Sequence, residues 1–457
     1  MSPTALCINP WIYDFAAYDL WIRPLGLLTI AGTLRLAGVD VQFLDCLDRS
    51  LDQTEDLPRR HRPSHDDFGC GHYRNEPVAT PSTFRDVTRL FKRYGVSTGT
   101  FETGLQSLNR PDIVLVTSGM TYWYPGVFDV IWRVKCRWPG VPVVLGGVYA
   151  ALCRDHAARH SGADCICGTA SLWDVLHAVS EVLDRDVTPE SGWERRPPCP
   201  AYDLINHFGA AAVLTGKGCP YDCSYCASGR LEPEFTRFEP HHVVHTIEKL
   251  VRDEAVQDIA FYDDALLVHW KDHLGPILEE VMERDLTVRF HTPNGLHARF
   301  VTPGLAGTLK KSGFQTICLS YESADAARQK DSSGKVTTAE LADAVEALYQ
   351  AGFSSEEVTV YALMGLPGQS EAEVRDTLDT IYGLGARSYL AQFSPIPGTP
   401  EFDRWDPEHR ERAVREPLLH NNTAFPYLSG DETLDPNQYR ELRQLSHKLN
   451  AELDGPA

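Results

Sequence analysis

Two runs of alternating strand-like and helix-like segments, separated by a proline-rich stretch, constrain this chain more than any other feature. In the first 185 residues the apolar segments ALCIN (5–9), DVQFLD (40–45), DIVLVT (112–117) and VPVVLGG (141–147) read as strands, with a short one near 164–167. Helical spacing of apolar residues marks 25–37, 125–137 and 171–184, and Gly38 stands as a stop signal after the first. Buried parallel strands read as continuous apolar runs, so this half predicts an α/β doubly wound (Rossmann-like) parallel sheet over 1–185. Residues 46–109 interrupt the pattern with a polar stretch rich in Arg, His, Asp and Pro, long enough to be a functional insertion or lid. Residues 186–205, containing GWERRPPCPAYDL, lose all periodicity and read as a linker.

The second run spans 206–400. Strands are expected at 211–215, 258–262, 287–291, 315–320, 357–363 and 388–393, with helices near 242–253, 272–284, 303–312, 338–351 and 371–384. Six strands with intervening helices fit an open, partial (β/α)6 barrel. A small C-terminal helical tail, 401–457, ends in a helix at 436–452.

A chain of 457 residues suggests two or three domains at roughly 150 residues each. Its 43 Lys+Arg against 63 Asp+Glu give a net charge of −20, which disfavours nucleic acid and anionic membrane as partners. The opening MSPTALCINP shows no basic stretch followed by an apolar core, and no apolar run approaches the roughly 18 residues of a membrane span. A cytoplasmic, reducing location is therefore expected, with the 12 cysteines present as thiols or metal ligands.

Three of those cysteines carry a pattern. TGKGCPYDCSYCASG places Cys219, Cys223 and Cys226 in the spacing C-x3-C-x2-C directly after the first strand of the barrel, where strand-following loops form the active face. Gly216, Gly218 and Gly229 allow the tight wrapping such a loop needs. Structural zinc and closed iron–sulfur sites take four protein ligands; three would leave one iron of a cubane open. A zinc loop with a fourth ligand from elsewhere, or three thiols without a metal, are the alternatives.

With this motif the chain resembles the radical S-adenosylmethionine (SAM) superfamily. The resemblance covers about 200–400 and, more weakly, the N-terminal domain. It implies that Cys219, Cys223 and Cys226 hold a 4Fe–4S cluster, that SAM chelates the open iron, and that reductive cleavage yields a 5′-deoxyadenosyl radical. Tyr225 stands where the family has an aromatic residue before its third cysteine. The family's glycine-rich segment after the second strand is absent; Asp263 and Asp264 stand there and can receive the SAM ammonium, with an acidic helix cap as their plainer reading. By similarity Asn294 follows the third strand, Ser320 and Glu322 would meet the SAM carboxylate or ribose, and Gly365 would pass close to adenine. No catalytic residue is assigned. The exit segment 394–402 reads as a simple barrel terminus.

The first half resembles the cobalamin-binding domain fused to many such enzymes. Leu25 and Gly26 open its first helix, and Ser118, Thr121, Gly146, Gly147 and Tyr149 lie at strand ends where that family holds the nucleotide tail. The histidine motif that supplies an axial cobalt ligand in other cobalamin proteins is missing. The aromatic residues near these strand ends can equally serve as packing. A second group, His61, His65, Cys70 and His72, has zinc-type donors in no compact zinc spacing and is read as part of a solvated lid. The resemblance implies an enzyme that uses a 4Fe–4S cluster, SAM and cobalamin on a small-molecule substrate, to methylate, cyclise or rearrange it. It would need a low-potential electron donor such as flavodoxin or ferredoxin. The alternatives are a radical SAM enzyme without cobalamin and a non-catalytic iron–sulfur protein.

Overall fold

The computed structural model describes residues 2–52, 55–169, 171–189, 192–332, 334–428 and 434–453. The chain divides into two compact units, Met1–Ala211 with Ala413–Leu418, and Ala212–Arg412 with Leu419–Ala457.

The first unit is built on a five-stranded parallel sheet. Its order is Asp40–Asp45, Thr4–Asn9, Ile113–Val116, Val143–Leu145, Cys165–Ile166. This is the doubly wound order 2-1-3-4-5, in which the chain reverses direction beside the first strand. One face packs on helices Leu25–Leu36 and Leu172–Leu183 through Leu27, Ile30, Leu34, Val175 and Val179. The other packs on Tyr124–Arg137 and its neighbours through Val127, Val130, Ile131 and Val134. The first helix stops where Gly38 turns left-handed at φ +73°.

The 46–109 stretch, expected as a functional insertion or lid, is a folded part of the unit. Its strands Asn75–Pro77 and Lys92–Tyr94 pair antiparallel, and Lys92–Tyr94 pairs in turn with Ile12–Asp14 outside it. Tyr73, Phe84 and Phe91 are fully buried, and helix Thr98–Ser107 is capped by the Ser97 hydroxyl accepting from Thr100 N at 3.0 Å. The polar composition hid an aromatic core spread thinly along the sequence. Nor is 186–205 a free linker: Val187, Trp193 and Ala201 are buried in the first unit's core, and Trp193 stacks on Trp173 at 6.0 Å.

In the second unit six strands, Ala210–Val213, Asp258–Phe261, Arg289–His297, Phe314–Glu322, Val358–Met364 and Arg387–Gln392, lie side by side in chain order. Pairing is parallel from the second strand to the sixth. The intervening helices begin on side-chain caps. Thr302 accepts from Leu305 N ahead of helix Pro303–Lys311, and Thr337 and Glu340 form a capping box ahead of Thr338–Gln350. The fourth strand alternates: Ile317, Leu319 and Tyr321 are buried, and the Tyr321 hydroxyl meets Thr338 on the flanking helix at 2.6 Å. Cys318, Ser320 and Glu322 therefore lie on the opposite, inner face. The tail is helical and ends in Pro436–Leu453, whose Tyr439 and Leu442 pack with Met364 and Val374. Among the described residues no helix is long and apolar enough to cross a membrane.

The first unit offers a direct check. A Cβ on Gly126 would lie 1.9 Å from the Trp11 carbonyl oxygen. Gly126→Ala is expected to destabilise the protein by about 1–3 kcal/mol through overpacking, measured as a lowered urea midpoint; an unchanged midpoint would contradict this packing.

Candidate metal centre

The cysteine loop leaves the first barrel strand and is fastened at both ends. At its start, Thr215 N donates to both carboxylate oxygens of Asp263 at 3.0 Å, and the Thr215 hydroxyl donates to Asp263 at 2.7 Å. Gly216–Lys217 then pair antiparallel with Thr236–Arg237. Gly218 has φ +72°, and a Cβ there would lie 2.4 Å from the Glu234 carbonyl oxygen, so only glycine fits. Farther along, Ser224 N donates to Ser332 O at 2.7 Å. The Ser224 hydroxyl donates to Glu401 at 2.7 Å, and Glu401 N returns a bond to Ser224 O at 2.9 Å. Ser224 and Glu401 are both buried.

Between these anchors stand the three thiols. Cys223 is buried, Cys219 half-buried and Cys226 exposed. Burial pushes the Cys223 thiol up to about 11 and raises Cys219. The mutual repulsion of the thiolates adds to this, and the Lys335 ammonium opposes it. All three are thus within electrostatic reach of one another and of one cation. Lys335 is in turn held charged, against its own desolvation, by the cysteines and Glu322. Among the described residues no three His, Cys, Asp or Glu side chains are grouped to hold a single metal ion. Three cysteine donors suit a cluster with one open iron, whereas structural zinc takes four protein ligands.

Around this loop the structure gathers four of the residues expected to bind SAM. Asp264 is exposed to solvent, with its carboxylate on the Ser228 hydroxyl. Ser228 in turn meets Cys226 Sγ at 3.3 Å through its hydroxyl and 3.4 Å through its N–H. Glu322 ends the fourth strand at a bulge with φ +72°, a strained conformation for a non-glycine residue. Its carboxyl, raised by burial, faces the Tyr225 hydroxyl, although no hydrogen bond of standard geometry joins them. Ser320 lies on the same inner face, buried against Gly295.

The other three are engaged by the protein itself. Asp263 is buried and serves the loop backbone, as described. Asn294 donates its amide to the Tyr262 carbonyl at 2.8 Å and so ties the second and third strand ends together. Gly365 is covered by the tail: a Cβ there would lie 1.6 Å from the Tyr439 hydroxyl, and its N–H donates to Gln369 Oε1 at 2.7 Å. In each case a polar or bare backbone position at a strand end is satisfied by the protein itself. Thr215, Ser224, Glu401 and Lys335 were not singled out from sequence. Glu401 belongs to the segment read as a plain terminus, where Thr399 caps helix Pro400–Asp403.

In the first unit the expected cobalamin positions gather only in part. Ser118 accepts from Tyr149 N at 3.1 Å, donates to Gly146 O at 2.8 Å, and packs against Gly147. Thr121 and Tyr149 are fully buried, and the Tyr149 hydroxyl is engaged with His156 at 2.6 Å. Leu25, Gly26 and Gly146 remain accessible, the two glycines beside Leu172 and Val175. The strand ends Asn9 and Asp45 border a small polar cavity with Asp19, Arg23, Arg49 and Tyr73. Asp19 there pairs with both arginines at 2.8 and 2.9 Å. The fit to a nucleotide tail therefore rests on the glycine ledge, not on Thr121 or Tyr149. The second zinc-type group is dispersed. His61 bonds Asn75 at 2.8 Å, His65 stacks on Phe208, His72 packs on Tyr18, and Cys70 is buried.

Residues 213–381 match the Radical SAM superfamily. With the cysteine loop at its first strand end, this segment reads as a radical SAM domain, a type that works with a 4Fe–4S cluster and SAM. Over 377 residues the chain is 26% identical to an anaerobic magnesium-protoporphyrin IX monomethyl ester cyclase of Rubrivivax gelatinosus, covering 79% of this chain and 61% of that one. It spans less than two thirds of that relative's length. An uncharacterized methyltransferase of Pyrococcus horikoshii is also 26% identical, with 70% of this chain and 72% of that protein covered. Among solved structures, the fold is similar to the radical SAM methyltransferase TsrM from Kitasatospora setae, with cobalamin and a 4Fe–4S cluster bound. That match has a TM-score of 0.63 at 16% identity and covers 88% of this chain and 77% of that one. It is also similar to the cobalamin-dependent radical enzyme OxsB, with a TM-score of 0.60 at 12% identity, covering 98% and 61%.

The Asp263–Thr215 contact yields a prediction. Burial lifts Asp263 from 3.8 to about 7. Between those values the unfolded chain releases its proton first, so this group's contribution to stability falls as pH rises from about 4 to 7 and is flat above. Asp263→Asn should flatten that slope in urea midpoints. Asp263→Ala leaves Thr215 N unsatisfied and should cost about 1–3 kcal/mol, with iron content reduced. Wild-type iron retention and midpoint in the Ala variant would contradict the anchoring role.

Proposed function

We propose that this protein reductively cleaves SAM to start radical chemistry on a small-molecule substrate, with cobalamin bound by the first unit, and that the outcome is methylation, cyclisation or rearrangement. The single observation that carries the reading is the anchored loop of Cys219, Cys223 and Cys226 with Lys335, Glu322, Tyr225 and Asp264 around it. When bound, the cluster supplies the electron that splits SAM into methionine and a 5′-deoxyadenosyl radical. Cys219, Cys223 and Cys226 hold it. Asp264 offers a carboxylate to the SAM ammonium, Glu322 offers acceptors to the ribose hydroxyls, and the Ser320 hydroxyl can meet the ribose or donate to the SAM carboxylate. Lys335 compensates the negative charge of the thiolates. The half-buried Tyr225 covers the loop beside Glu322.

Cobalamin is supported by fold similarity over 88% and 98% of the chain to TsrM and OxsB, whose structures contain it, and by the accessible Leu25, Gly26 and Gly146. A cobalamin-independent enzyme is the second reading, favoured by the closed packing of Ser118, Thr121 and Tyr149. A flavodoxin- or ferredoxin-type donor would deliver the electron. None of the 12 cysteines is in a disulfide, as suits a cytoplasmic, reducing compartment.

Anaerobic reconstitution should yield about four iron and four sulfide per chain. With SAM and a low-potential reductant, mass spectrometry should find 5′-deoxyadenosine and methionine, both lost in Cys219→Ala. An iron-loaded protein releasing neither would overturn the enzyme reading of this site. Loading with hydroxocobalamin followed by desalting should leave corrinoid absorbance near one equivalent; none would favour the cobalamin-independent reading.

A further inference from the structure

The third barrel strand ends on His297, which is only 3% exposed, yet neither imidazole nitrogen has a hydrogen-bond partner. Buried polar side chains are almost always paired, so two orphaned nitrogens on one ring call for an explanation. The surroundings of the ring supply one. It meets Tyr221, inside the cysteine loop between Cys219 and Cys223, edge-on at 4.6 Å. On the other side Phe300 stacks at 5.9 Å. These are apolar faces that fix the ring and leave its polar edge unserved.

Register places that edge. His297 pairs with Ser320, Ser320 with Tyr361, and Tyr361 with Tyr389. Paired residues in a sheet project to the same face, and Ser320 is on the inner one. Gly295, two residues before His297, confirms the side: a Cβ there would meet Ser320 Oγ at 2.2 Å and Tyr361 Cδ2 at 3.1 Å. His297 thus lies on the inner face of the barrel, under the cysteine loop and in line with Ser320. Desolvation, with the nearby Lys335 and Arg299 charges, holds its pKa down to about 3, so the imidazole is neutral. It offers one donor and one acceptor. A bare cluster presents only acceptor sulfurs and would satisfy half of that demand. A ligand with acceptors and donors together, in a cationic setting, satisfies both.

We propose that His297 is a positioning residue for SAM, donating its imidazole N–H to the methionyl carboxylate and leaving its second nitrogen to accept from a ligand hydroxyl. This rests on the reading of the loop as a radical SAM site. It adds a residue of the third strand to a set otherwise drawn from the loop and from the second and fourth strands.

The test compares anaerobically reconstituted full-length wild type, His297→Ala and His297→Gln, with iron content and SAM affinity by equilibrium dialysis as readouts. Gln keeps one donor and one acceptor. His297→Ala should load iron like wild type and bind SAM about 10- to 100-fold more weakly, the range for a charge-assisted hydrogen bond. His297→Gln should recover most of that loss. Wild-type SAM affinity in the Ala variant, or a Gln variant as weak as Ala, would overturn the assignment. Iron lost from both variants would overturn it too, in favour of structural support of the loop through Tyr221. Wild-type protein that carries iron but binds no SAM would instead refute the underlying site reading, and this proposal with it.

Discussion

The bonds from Thr215 to the buried Asp263 carboxylate fix where the cysteine loop begins, and the rest of the site depends on that point. A loop that must present three thiols to one cluster cannot rely on its own short-range contacts. Here it is held from three distant parts of the barrel: Asp263 after the second strand, Ser332 after the fourth, and Glu401 after the sixth. Each bond closes a long stretch of sequence, so the loop forms only when the barrel has folded. Folding and readiness for the cluster are thereby one event.

The electrostatics follow from the same burial. Removing Cys219, Cys223, Glu322 and Asp263 from water raises all four. Lys335 is the counterweight, a cation in the reach of three thiols and of Glu322. With a cluster held by the three cysteines as thiolates, Lys335 would balance their charge. The protein supplies position and charge balance, and the cofactors supply the difficult chemistry.

Much of the fold was legible because parallel α/β units write themselves in apolar runs and capped helices. Strand Asp40–Asp45 and helix Pro303–Lys311 lie where DVQFLD and the Thr302–Pro303–Gly313 signals put them. The cysteine triplet was legible because its spacing is local. The insertion was not, since Tyr73, Phe84 and Phe91 share a core without sharing a period. The partners of a polar strand-end residue were not legible either. Asp263 and Asp264 are adjacent and alike in sequence, yet one binds the Thr215 backbone and the other the Ser228 hydroxyl beside Cys226. Gly365 reads as room for a ligand until Tyr439, 74 residues later, fills it. Lys335 and His297 belong to no local motif. Only the sheet register and the return of the chain bring them to the loop.

Electron paramagnetic resonance of the reduced, reconstituted protein, with and without SAM, tests most directly the claim that the three-cysteine loop leaves one iron open. The account predicts a single reduced 4Fe–4S signal whose g-values shift on adding SAM, with hyperfine coupling to 17O- or 15N-labelled SAM showing direct ligation. A cluster signal that SAM leaves unchanged, with no such coupling, would contradict it.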